Sequence, residues 1–217
     1  MADVVRPGKV DWTGDNPFIY LKTDPAGDWS ALSLFFRVTA SDFGPGSLVL
    51  TIEDPYDKRA ERADAPAPVR LALTDNEPLA RFLIDGFVRR FVLFRPATAA
   101  LDALELVGGA AFTTQGDGAT MHTESARAEE RGLSLAMTWE DLGTPFAVDV
   151  PGPQSGTGQH EMFSVFRTAG AAHVTVNDAV LPGSTVERDF LNGPAQSAAL
   201  ALSETWVRDG GAEVAQA

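Results

Sequence analysis

Short runs of β-branched, aromatic and aliphatic residues recur along the chain, each closed by Gly, Pro, Asn or Asp, and this pattern constrains the fold more than any other feature. Runs of this length suit strands, and the residues between them suit the tight reversals of antiparallel pairs. The spacing predicts strands over 18–22, 31–38, 47–53 and 69–73, with Asp42-Phe43-Gly44-Pro45-Gly46 turning the second into the third. Residues 54–68 are charged and rich in Ala and Pro, and read as an exposed loop.

At Asn76 the period changes. Asn76 can cap, Pro78 suits a first helical turn, and Leu79, Phe82 and Leu83 share a face at helical spacing, so a short helix is predicted up to Gly86. A hairpin turning at Asp85-Gly86 is the rival reading. Residues 87–94 then read as a strand carrying Arg89 and Arg90. Further strands are predicted over 104–114, 119–125, 132–140, 145–150, 160–167, 173–176, 179–181, 185–188 and 197–207, with hairpin turns at Gln115-Gly116-Asp117-Gly118 and Asn177-Asp178.

No period of 20 to 50 residues occurs, which argues against a propeller or solenoid. The expected fold is all-β and mostly antiparallel with one short helix, as a lipocalin- or calycin-like barrel or a two-sheet sandwich. At 217 residues and 44% hydrophobic content the chain suits one β domain over 11–207, with an N-terminal tail over 1–10 and a disordered tail over 208–217. A separate C-terminal β unit beyond Pro151-Gly152-Pro153-Gln154-Ser155-Gly156 is the second arrangement the sequence allows.

Lys and Arg total 17 against 30 Asp and Glu, a net charge of -13 that repels polyphosphates and anionic lipid, so neither nucleic acid nor membrane is an expected partner. With no cysteine, disulfides, thiolate metal sites and a thiol nucleophile are excluded. The N-terminus lacks the apolar run of a secretory signal, and a cytoplasmic location is expected.

Four sets of residues carry candidate chemistry. In Met121-His122-Thr123-Glu124 a strand period of two puts His122 and Glu124 on one face, where a base and a carboxylate can act together or form a structural cross-strand pair. His160 and Glu161 follow the flexible loop Ser155-Gly156-Thr157-Gly158-Gln159, and only one of the two can point into a given cavity. Trp139-Glu140 and Glu204-Thr205-Trp206 set carboxylates beside indoles, an arrangement that lines an apolar pocket and raises a carboxyl pKa, or closes the end of a β core with rim acids in water. Alternation sends one of Arg89 and Arg90 inward, to anchor a ligand carboxylate or pair with a protein acid. His173 reads as a core or cross-strand residue. The three histidines lack paired metal-ligand spacing, so no metal site is predicted. Dinucleotide, P-loop, nucleophile-elbow and kinase signatures are absent.

The C-terminal third, from Gly158-Gln159-His160-Glu161 through Val174-Thr175-Val176-Asn177-Asp178 to Ser203-Glu204-Thr205-Trp206, resembles the lipocalin-like β family that includes AttH and the carotenoid hydratases. That resemblance implies an apolar cavity for terpenoid- or polyketide-like molecules, with acidic residues adding or removing water. The expectation is a small apolar ligand handled by carboxylate and histidine acid–base chemistry, as a hydratase, lyase or isomerase, which needs no cofactor. The alternative is a β-sandwich interaction protein that assembles with itself or another chain through edge strands or aromatic ends.

Overall fold

A computed structural model describes residues 8–58, 66–191 and 193–209. It is mostly β. The strands are β1 (Gly8–Asp15), β2 (Phe18–Leu21), β3 (Ala31–Ser41), β4 (Gly46–Glu53), β5 (Arg70–Thr74), β6 (Glu105–Val107), β7 (Ala111–Gly116), β8 (Met121–Ala128), β9 (Leu133–Leu142), β10 (Phe146–Val150), β11 (His160–Val176), β12 (Ala179–Val180), β13 (Glu187–Phe190), β14 (Gly193–Gln196) and β15 (Ala198–Asp209). Thirteen of them form one large sheet whose main path runs β6-β5-β4-β3-β1-β15-β11-β9-β8-β7, with β10, β12 and β2 paired alongside. All pairs are antiparallel except β5 with β6. β13 and β14 form a separate hairpin.

The central strands are apolar on both faces because both faces are covered. On β3, Leu32, Leu34, Phe36 and Val38 join one cluster with the helical segment, whereas Ala31 and Phe35 join a second cluster with Leu135, Met137 and Trp139 of β9. A strand buried on both sides reads as a continuous apolar run rather than an alternating one. The two clusters meet different elements because β11 changes partners along its length. Residues from His160 to Thr168 pair with β15, and those from Ala169 to Val176 pair with β9. The strands predicted over 160–167 and 173–176 are thus one strand. Small residues occupy the crossover, where a Cβ on Gly170 would lie 2.9 Å from Cβ of Asp141.

The predicted helix is α1 (Glu77–Gly86), capped by Asn76, whose Oδ1 accepts the Leu79 N–H at 3.2 Å. Leu79, Ala80, Leu83 and Ile84 face the first cluster. Gly86 ends the helix, so the rival hairpin at Asp85-Gly86 does not form.

The strand predicted over 87–94 is a correction. Val88–Arg90 is a 3₁₀ turn, and a five-residue helix α2 (Thr98–Asp102) follows. Phe87, Val88, Phe91 and Phe94 are buried in the first cluster. Their spacing of i, i+1, i+4 and i+7 is helical, and a strand would have sent Phe87 and Phe94 to opposite faces. The run predicted over 104–114 is likewise split into β6 and β7 at Gly108-Gly109, with Gly109 at φ +71.

β1 begins at Gly8 and β15 ends at Asp209, a little outside the expected 11–207, and Arg208 is part of the strand rather than of a tail. The rest of both expected tails, and part of the loop over 54–68, lie outside the described residues. No helix among them is long and apolar enough to cross a membrane.

Candidate functional site

The site forms where β15 changes phase. On β15, Ala199 and Ala201 face the first cluster and Ala198 and Leu200 the second. If alternation simply continued, Glu204 and Trp206 would face the second cluster too. Instead Ser203 sits at φ 51, the register between β11 and β15 shifts between Phe163 and Val165, and Trp206 joins the first cluster. One extra residue in a ladder flips every side chain after it, and such bulges aim side chains at special positions. The Ser203 N–H donates to Asp15 Oδ1 at 2.9 Å, which ties the bulge to the end of β1.

Below the bulge lies a cleft of about 450 Å³. Its walls are mainly apolar and aromatic: Phe18 of β2, Phe91 of the helical segment, Met162 and Phe166 of β11, Phe190 of β13 and Trp206. The polar groups among them are Glu204, Asn16, Tyr20, Gln154, Ser155, Arg188 and Asp189. A mostly apolar concavity with a few convergent polar groups is the usual form of a small-molecule site.

Glu204 is 2% exposed, and its Oε2 accepts the Trp206 indole N–H at 2.9 Å. Burial pushes its carboxyl up to about 7, although the hydrogen bonds from Trp206 and Asn16 pull the other way. Asn16 is also buried, and among the described residues its Oδ1 has no hydrogen-bond partner. Burial likewise holds the Tyr20 phenol well above its ordinary range, so it stays neutral. The cleft therefore offers a carboxylic acid as donor, with a buried, unpartnered amide oxygen in its wall.

The other sequence-predicted residues lie elsewhere. His160 is buried behind Trp206, 6.1 Å between ring centres, and packs against Phe87 at 4.7 Å with the rings tilted by 33°. Its Nε2 lies 2.8 Å from Asp11 Oδ2 and its Nδ1 2.9 Å from Thr157 Oγ1, while Arg208 holds Asp11 at 2.6 Å. Burial lowers the imidazole pKa against the pull of Asp11. Glu161, next along β11, points to the other side, and neither residue lines the cleft.

His122 and Glu124 do share a face, with His122 Nε2 2.9 Å from Glu124 Oε1. Glu124, however, is buried and also bound by Arg37 and Thr114, which makes the group a tie between β3 and the β7–β8 pair. Trp139 is buried in the second cluster and donates to the Phe18 carbonyl at 3.0 Å, while Glu140 is exposed. With the strand over 87–94 gone, neither arginine turns inward: Arg89 pairs with Asp85 and Asp102, and Arg90 is exposed. His173 is half-buried opposite Thr138. Among the described residues no three His, Asp or Glu side chains come together as a metal site would require.

Of the predicted set, Glu204 and Trp206 alone line the cleft. Asn16, Tyr20, Met162, Phe166, Arg188 and Phe190 were not singled out by the sequence; only the aromatic content of their strands hinted at them. Comparison with protein-family models, curated proteins and solved structures finds no match to this chain.

Proposed function

We propose that the protein binds a small, mostly apolar molecule in the Glu204 cleft and acts on it by acid–base chemistry, as a hydratase, lyase or isomerase. The observation that carries this reading is a carboxyl group sealed into an apolar wall with only neutral hydrogen-bond partners, Trp206 and Asn16. A group in that setting is a competent proton donor near neutral pH. Glu204 suits a substrate hydroxyl, which accepts from the acid; Asn16 Oδ1, buried and without a partner among the described residues, can accept from that hydroxyl once its side chain turns toward the cleft. In an elimination, the Glu204 proton passes to the hydroxyl oxygen, the C–O bond breaks with loss of water, and the resulting carboxylate removes the neighbouring C–H proton as the double bond forms. Hydration is the reverse.

The C-terminal stretch that resembles the lipocalin-like hydratases contributes Glu204, Trp206, Met162 and Phe166 to the cleft. Two apolar clusters on opposite faces of the large sheet support a sandwich with a helical cover over a closed barrel with one interior.

A thermal-shift screen with apolar alcohols and alkenes tests the binding step, since a ligand that binds only the native state raises Tm by mass action. Hits are expected to lose their shift in Met162→Trp, which fills the cleft, and to keep it in Glu204→Gln, which keeps the site but loses the acid. No shift across a broad panel sinks the reading. Assembly through the exposed terminal strand β7 is the rival, and a concentration-independent monomer in sedimentation would remove it.

A further inference from the structure

Arg90, Arg95, Arg127, Arg167 and Arg188 make no ion pair among the described residues, and of these Arg188 alone lines the cleft. Arg37, Arg70, Arg81, Arg89, Arg131 and Arg208 each hold a carboxylate, as expected in a chain with 30 acids and 17 bases. Arg188 is half-buried, lines the cleft and makes no ion pair among the described residues. Its guanidinium lies 5.9 Å from the centre of the Tyr20 ring, and its one side-chain hydrogen bond is a long one, 3.4 Å, from Nε to the Asp189 carbonyl.

The hairpin of β13 and β14 holds this residue in place. Phe190 inserts among Phe18, Phe146 and Phe166, at 5.7, 6.5 and 5.1 Å between ring centres. Arg188 lies two positions earlier on the same strand and so on the same face, whereas Glu187 and Asp189 are exposed; Asp189 also lines the cleft, but no ion pair joins it to Arg188. Glu204 does not supply the missing counter-charge, because its burial keeps the carboxyl largely neutral below pH 7 and Tyr20 lies against both groups. A cation in a partly desolvated apolar setting gains more from an anion than one in water does. The planar guanidinium matches a carboxylate through two parallel hydrogen bonds.

We propose that the cleft selects apolar carboxylic acids, with Arg188 binding the carboxylate at one end and the aromatic walls taking the hydrocarbon. This rests on the reading of the cleft as a ligand site, and it names the ligand class of that site. The acid then places its chain along Phe18, Phe166 and Trp206 toward Glu204 and Asn16, so that the anchored end and the reacting end differ.

Isothermal titration at pH 6 with decanoate, 1-decanol and decylamine tests it on the full chain. Decanoate is expected to bind at least tenfold more tightly than decanol, and decylamine the most weakly. Arg188→Gln is expected to bring decanoate down to the affinity of decanol without changing decanol, and Arg188→Lys to keep part of the preference; circular dichroism of each variant checks that the fold is kept. Equal affinities in the unmutated protein, or a preference that survives Arg188→Gln, overturn the anchor while leaving the cleft as an apolar site. Failure of all three compounds to bind overturns both.

Discussion

Trp206 and Glu204 sit two residues apart on β15, and the indole N–H of the first donates to Oε2 of the second at 2.9 Å inside the apolar cleft. That bond survives protonation of the carboxyl group, because the other oxygen can carry the proton. It therefore holds the acid in place without a charge, while burial sets its proton affinity.

The raised pKa has a signature in stability. Below pH 4.5 the folded and unfolded chains both hold the Glu204 proton; between 4.5 and about 7 the unfolded chain releases it and the folded one does not. Stability due to this group is thus full at low pH and is lost as pH rises to about 7. The loss amounts to about 3 kcal/mol, at about 1.4 kcal/mol for each pKa unit. Glu204→Gln removes the effect and keeps an acceptor for Trp206. Urea unfolding of both proteins from pH 4 to pH 8 is expected to show the unmutated chain losing about 3 kcal/mol relative to the variant, and a constant difference would refute it.

The bulge at Ser203 makes a second prediction. A left-handed φ of 51 is tolerated by Ser, relieved by Gly and strongly disfavoured by a β-branched residue. Ser203→Val is expected to cost about 1–2 kcal/mol, whereas Ser203→Gly stays within about 0.5 kcal/mol of the parent. If Val and Gly behave alike, the backbone at Ser203 is not constrained as described.

Asn76 links helix and sheet. Besides capping α1, its Nδ2 donates to the Phe43 and Pro45 carbonyls at 3.0 Å each, so one side chain fixes the helix start against the turn between β3 and β4. Asn76→Ala is expected to destabilise by about 2 kcal/mol, the upper end for a lost cap, and Asn76→Asp by less because the cap acceptor remains. Chemical denaturation of the two variants decides it.

The sequence was most readable where local chemistry decides structure. The Asn76 cap, the reversal at Asn177-Asp178 and the strands β3 and β4 follow from caps, positive-φ turn residues and apolar runs, and expected and observed positions agree to within a few residues. It misled where an apolar run fits two periods. Residues 87–94 are rich in Phe and Val, which favours a strand, yet the buried positions repeat at helical spacing, which a strand would split between two faces. The site was half legible. Glu204 and Trp206 could be found because an acid near an indole suggests a desolvated carboxyl, but a strict period of two says nothing of the Ser203 bulge that turns both toward the cleft. Asn16 and Tyr20 meet them through the long-range pairing of β2 with β15, and Arg188 through the packing of the separate β13–β14 hairpin, which no local pattern encodes. The flexible loop before His160 suggests an accessible imidazole, but the same loop folds back through Thr157 to bury it.

The tie between Arg37 and Glu124 carries the remaining prediction. Nη1 and Nη2 of Arg37 donate to the two carboxylate oxygens at 3.0 and 2.7 Å, Nη2 also donates to Thr114 Oγ1 at 2.8 Å, and the Thr114 hydroxyl lies 2.9 Å from Glu124 Oε2. Glu124 is buried, so its charge depends on these partners, whereas the Arg37 side chain is one-third exposed and can still reach water. Removing the arginine leaves the buried carboxylate with only Thr114 and His122, and removing the carboxylate frees a cation that solvent can accept. Arg37→Leu is therefore expected to cost about 3 kcal/mol, and Glu124→Leu less. In the double variant no buried charge is left and the two leucines can extend the second apolar cluster, so most of the loss is expected to return. Urea unfolding of the four proteins gives the coupling; if the two single costs add to within about 0.5 kcal/mol, the residues do not act as a pair.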